Sequence, residues 1–159
     1  MSRERLMLAV EIDRFNADYA AALDDKRFED WPEFFAEDGR YFVQARENFD
    51  RNLPLSLIAL ESKGMMKDRV YGITQTIYHA PYYTRHVIGP ARVLAQADGV
   101  VSAQANYAVF RTRPGDASEV YNVGRYVDEF VQTPAGLKLS SRRCVYDSEM
   151  VLNSLIYPV

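Results

Sequence analysis

The chain has one cysteine, Cys144, and only two histidines, His79 and His86. One cysteine leaves no internal disulfide, which fits a reducing cytosol. It also excludes a Rieske iron–sulfur cluster, which takes two Cys and two His. A mononuclear iron triad of two His and a carboxylate would need both histidines. They lie seven residues apart with Pro81 between them. No continuous helix face carries both, and in a strand an odd spacing sends them to opposite sides. None of the eight glycines forms GxGxxG or a phosphate loop, and GxSxG is absent. Cys144 has no adjacent histidine to activate it and reads as a buried small residue in the last strand. Basic residues are scattered among acids, the net charge is −3, and no patch suited to nucleic acid emerges. Apolar stretches run only a few residues, far short of a membrane span. Met1-Ser2-Arg3-Glu4-Arg5 leads straight into an amphipathic segment without an apolar signal core, so a cytoplasmic protein is expected.

What is present suits one globular domain spanning 1–159. Apolar residues make up 48% and charged residues 26%, and no repeat or linker divides the chain. Eleven Tyr and eight Phe are many for this length, and Tyr suits both interior walls with polar tips and partner surfaces.

The apolar period changes near residue 80. Before it, Leu8, Ile12, Phe15, Tyr19 and Leu23 form one helical stripe that Asp24-Asp25 ends. Asp30-Trp31-Pro32-Glu33 predicts a short helix capped by Asp30, carrying Phe34 and Phe35 and stopping near Asp38-Gly39. Arg40 to Gln44 and Leu55 to Leu60 read as extended. Ser62 predicts the cap of another helix, with Met66, Val70, Ile73 and Ile77 on its stripe and Pro81 closing it. His79 falls at that helix end.

From residue 84 to 147 a meander is expected, in four long runs: 84–97, 100–113, 118–132 and 137–147. Asp98-Gly99 is a hairpin signal, and Pro114-Gly115-Asp116 and Thr133-Pro134-Ala135-Gly136 mark further turns. Strands this long twist, and Gly89-Pro90 and Gly124 predict bends or bulges. The expected architecture is α+β: a strongly curved antiparallel sheet with N-terminal helices packed into its hollow.

Two sets of side chains are candidates for function. Asp38, Tyr41 and His86 could line the mouth of such a cone as an acid, a phenol donor and a general base or acid. The second set is an interface on the convex face: Tyr107, Tyr121, Arg125, Arg142 and Arg143, with Val109 sharing the face of Tyr107 and Val123 that of Tyr121. In Ser141-Arg142-Arg143 successive side chains point to opposite faces, so one Arg turning inward needs a carboxylate, from Asp128 or Asp147. The cluster Tyr78, Tyr82, Tyr83 suggests a ligand cage, though packing is the plainer reading, as it is for Met65-Met66.

The order Asp30-Trp31-Pro32-Glu33-Phe34-Phe35, Asp38-Gly39, Glu61-Ser62, Gly64-Met65, Asp68-Arg69-Val70, Thr84-Arg85-His86 and Gly124-Arg125-Tyr126-Val127-Asp128, then Leu139 to Arg143, Val145 and Asp147, resembles the small (beta) subunits of bacterial aromatic-ring-hydroxylating dioxygenases. The likeness covers essentially the whole chain. It implies a cystatin-like, NTF2-like cone. It further implies a large (alpha) subunit holding a Rieske 2Fe-2S cluster and a mononuclear iron, an assembly of three large and three small subunits, and no catalytic residue here. The resemblance is nearest to relatives acting on aromatic acids such as terephthalate, anthranilate or benzoate. A free-standing cone enzyme of the isomerase or dehydratase type, and a small-ligand binding module, are the competing expectations.

Overall fold

The computed structural model describes residues 1–150 and 155–159. The first helix, α1 (Arg3–Asp24), begins where the Ser2 hydroxyl accepts the Arg5 N–H at 3.2 Å. Its stripe is as the spacing predicts: Ile12, Tyr19 and Leu23 are buried, with Leu8 and Phe15 packed at the edge of the core.

The next turn is a 3-10 helix, Phe28–Phe34, and here the sequence reading needs correction. Asp30 does not cap it. Asp30 lies inside the turn and pairs with Arg27 at 2.6 Å. The helix also does not reach Asp38-Gly39, because β1 (Phe35–Ala45) already starts at Phe35. The register of β1 slips between Phe35 and Arg40, and a Cβ on Gly39 would lie 2.7 Å from Phe35 Cβ. Gly39 thus serves a tight bulge within a strand rather than a helix end.

After α2 (Arg46–Asp50) and the short β2 (Ile58–Leu60), Ser62 caps α3 (Lys63–Tyr71) as expected, accepting from the Met65 N–H at 3.1 Å. Met66, Val70 and Ile73 are buried, but Ile77 is exposed. A π-helical turn over Gly72–Thr76 winds more residues per turn and rotates Ile77 off the stripe.

The meander forms β3 (Tyr83–Ile88), β4 (Arg92–Ala97), β5 (Val100–Thr112), β6 (Glu119–Thr133) and β7 (Gly136–Tyr146). The first expected run breaks in two at Gly89-Pro90. Asp98 and Gly99 both take positive φ, 54° and 77°, as a two-residue hairpin of this hand requires. Strand order is β2-β1-β7-β6-β5-β3, with β4 also paired to β5. The sheet is mixed rather than antiparallel, because β1 and β7 run parallel. Neighbouring strands of a meander alternate by necessity. The direction of β1 beside β7 is set by the chain between them, which no local pattern encodes. Bulges at Val109/Phe110 and Glu129/Phe130 add to the curvature. The inner face then packs on α1 and the 3-10 helix, giving an α+β cone.

Candidate functional site

The three residues expected at the cone's mouth do not meet. Tyr41 is buried on the inner face, where its hydroxyl accepts the Val159 N–H at 2.9 Å and donates to the Val159 carbonyl at 3.2 Å. Asp38 is exposed in the β1 bulge. His86 is an inward residue of β3 whose Nδ1 lies 2.6 Å from Asp24 Oδ1. Among the described residues no hydrogen bond joins any two of the three.

The partner of His86 is therefore Asp24, which sequence reasoning saw only as the end of α1. A carboxylate at a helix C-terminus faces the negative end of the dipole. Three donors offset this: His86 Nδ1, the His86 backbone N–H at 2.9 Å and the Thr84 hydroxyl at 3.1 Å. Thr84 and His86 alternate onto one face of β3, which was legible; the helix end they would meet was not. Burial pushes the Asp24 carboxyl up, but the hydrogen bonds and the charge of His86 outweigh it, so its pKa lies below the ordinary 3.8. A depressed carboxylate contributes stability above its unfolded value and loses it as pH falls through the folded one. Asp24→Asn is thus expected to be less stable than wild type near neutrality. Urea titrations should show that gap narrowing once the pH passes below 3.8. A gap that stays constant to lower pH would rule out the carboxylate as its source.

A second polar cluster fills the cone. Arg142 is 0% exposed, with Nε and Nη2 at 2.9 and 2.8 Å from Asp128 and Nη2 at 2.6 Å from Asn16 Oδ1. The guanidinium lies 3.9 Å from the Tyr126 ring centre and 4.3 Å from that of Tyr19. Burial works against the charge of Arg142, yet Asp128 holds it protonated. Beside it Tyr107 stacks on Tyr126 at 4.5 Å and donates to Asn122 Oδ1 at 2.6 Å.

These positions correct the interface set. Tyr107 (2% exposed), Tyr121 (5%) and Arg142 are interior residues of this chain and do not lie on the convex face. Of the two carboxylates expected for an inward arginine, Asp128 and Asp147, it is Asp128 that meets Arg142. For Tyr121 the cause is a bulge: Val109 pairs with Asn122 and Phe110 with Val120, leaving Tyr121 as the extra residue. Tyr121 and Asn122 therefore both turn inward, while Val123 comes out 38% exposed. Strict alternation fails at such a point.

Arg125 and Arg143 do lie on the outer face. Cross-strand rows place Val87, Ala108 and Val123 together, then Asn106, Arg125, Val145 and Gln44, then Gln104, Val127, Arg143 and Phe42. Arg143 sits 4.2 Å over the Phe42 ring and donates to Gln44 Oε1 at 2.9 Å. Burial and the nearby charge of Arg40 lower its pKa. Arg125 lies 5.4 Å over the Phe49 ring and 3.8 Å from Asp50. Exposed Tyr83, Val87 and Val120 extend the face. Arginines braced on aromatic rings beside exposed aliphatic side chains make a surface of the kind partners bind.

Among the described residues no three His, Cys, Asp or Glu side chains are placed to hold a metal ion, and no helix is long and apolar enough to cross a membrane. Fold and surfaces together define an NTF2-like cone with a braced outer face. The chain belongs to the ring-hydroxylating beta subunits: the family described as "Ring hydroxylating beta subunit" matches residues 19–153. It is 35% identical over 141 residues to the anthranilate 1,2-dioxygenase small subunit of Burkholderia cepacia, covering 89% of this chain and 88% of that one. It is 28% identical to a terephthalate 1,2-dioxygenase terminal oxygenase beta subunit of Comamonas sp., covering 94% and 97%. A crystal structure of the beta subunit assigned to an aromatic-ring-hydroxylating dioxygenase of Novosphingobium aromaticivorans superposes with a TM-score of 0.88 at 39% identity, covering 97% and 98%.

Proposed function

We propose that this chain is a single-domain, non-catalytic beta subunit of an aromatic-ring-hydroxylating dioxygenase that acts on an aromatic acid. The family match over residues 19–153 carries the reading. The substrate class rests on the relatives, since anthranilate and terephthalate are both aromatic carboxylates. The cofactors implied by the family do not fit these residues. A Rieske cluster needs two Cys and two His. Here there are one Cys and two His, and His79 Nε2 is engaged by the Tyr157 hydroxyl at 2.7 Å. The one thiol, Cys144, is buried, and desolvation pushes it up to about 12. The cluster and the mononuclear iron belong on a partner large subunit, in a cytoplasmic assembly of three copies of each.

In that assembly the small subunits meet as a trimer through the outer face, with Arg125 and Arg143 as contact residues. Tyr107, Tyr121 and Arg142 support the sheet from within. The exposed aliphatic residues of the outer rows favour burial against a partner.

Co-expression with the large subunit tests this. Light scattering should return a three-plus-three complex, and elemental analysis should find iron only when the large subunit is present. Asp38→Ala and His86→Ala should leave turnover within about threefold of wild type in complexes that assemble, because the chemistry lies on another chain. A fully assembled, iron-replete His86→Ala complex without turnover would give this chain a direct catalytic role. One iron per isolated chain would sink the assignment of cofactors.

A further inference from the structure

The tyrosine cluster near residue 80 divides in the fold. Tyr78 and Tyr83 point to solvent, while Tyr82 turns inward and meets a ring from the far end of the chain. The Tyr157 ring stacks on Tyr82 with centroids 4.4 Å apart and planes at 30°. Phe28 lies against it at 4.8 Å and 37°. The His79 ring meets it edge-on at 5.2 Å, with Nε2 2.7 Å from the Tyr157 hydroxyl. His79 Nδ1 is 3.3 Å from the Ile77 carbonyl, which can only accept. In the neutral imidazole Nδ1 therefore carries the proton, and Nε2 accepts from the Tyr157 O–H.

The backbone that delivers this ring is tied down separately. The Leu155 and Ile156 carbonyls accept from Arg69 Nη2 at 2.7 and 3.0 Å, and the Val159 carbonyl accepts from Tyr19 at 2.9 Å. Cage and ring thus come from distant parts of the chain and match in shape and hydrogen bonding. Two aromatic faces hold a ring, and one half-buried ring nitrogen meets a hydroxyl on it.

We propose that Phe28, His79 and Tyr82 form a recognition site for a phenolic ring, occupied in cis by Tyr157, and that a free para-substituted phenol competes for it. This goes beyond the assembly role and is testable on the full-length chain alone.

The probes are p-cresol and toluene, which differ by the hydroxyl that His79 would read. Tyr157→Ala vacates the site and should bind p-cresol at least about tenfold more tightly than toluene in calorimetric titrations, the factor that one hydrogen bond near the top of the usual range supplies. Adding His79→Leu should bring the two affinities together. Tyr157→Phe keeps the packing and removes only the intramolecular hydroxyl, so it serves if the alanine variant does not fold. In it p-cresol should compete about tenfold better than in wild type, read from faster amide exchange at Leu155–Val159 on adding the phenol. Equal affinity for the two probes in Tyr157→Ala would reduce the site to a plain apolar cavity. No effect of p-cresol on either wild type or Tyr157→Phe would overturn the competition.

Discussion

Asp128→Ala is expected to cost the fold about 3–5 kcal/mol, because it strands a fully buried guanidinium without its counter-charge. Arg142 is 0% exposed and makes two of its hydrogen bonds to Asp128. The remaining one, to Asn16 Oδ1, is to a neutral group. Two tyrosine rings flank the cation, and their faces attract it too weakly to stand in for a carboxylate. Against a typical total of about 5–15 kcal/mol, the loss approaches global unfolding. Removing both charges is a different change. Asp128→Leu with Arg142→Met leaves nothing ionised to desolvate, and buried pairs replaced this way are often neutral or stabilising. Urea denaturation of the two variants separates the cases. If Asp128→Ala lost less than about 1 kcal/mol, water would have to reach Arg142 in the native state.

Gly124→Ala should cost about 3 kcal/mol or more through backbone collision rather than lost contact. A Cβ on Gly124 would collide with the Val145 carbonyl oxygen and lie 2.8 Å from Tyr146 Cα, both main-chain atoms of the adjoining strand. Neither can rotate aside as a side-chain tip would. Relief requires β6 and β7 to separate where Gly124 pairs with Tyr146, just beside Arg125. The variant should therefore lose both stability in a thermal melt and assembly with the large subunit. A melt unchanged within the range of ordinary surface substitutions, about 0.5 kcal/mol, would mean that the strands are less closely pressed than the geometry states.

Much of the architecture was legible because its signals are local. The α1 stripe, the Ser62 cap, the Asp98-Gly99 turn and the long β5 and β6 each depend on residues near one another in the chain. Two errors were local, the cap assigned to Asp30 and the stripe extended to Ile77; the others fell where a distant segment decided. Phe34 and Phe35 fit a helix, but Phe35 is taken by Leu139 as a strand partner. Tyr121 and Val123 would share a face in any regular strand, and a one-residue bulge against β5 separates them. Of the candidate interface, Arg125 and Arg143 came out on the surface and Arg142 did not. Alternation states that Arg142 and Arg143 lie on opposite faces, without saying which face is inside.

By itself the sequence determined that this chain lacks the cysteine and histidine ligands for a Rieske cluster, and that its latter half forms long strands. Ligand count and periodicity are properties of composition and spacing, and folding cannot change them. The tertiary structure alone decided that Asp24 belongs to His86 and Tyr157 to the cage of Phe28, His79 and Tyr82, and that of Asp128 and Asp147 it is Asp128 that meets Arg142. Each pairing joins residues on different elements, and in the extended chain a carboxylate or ring has no preference among distant partners. Only burial makes the choice, because a polar group cut off from water must be met by a particular neighbour or left at a cost of about 1–3 kcal/mol.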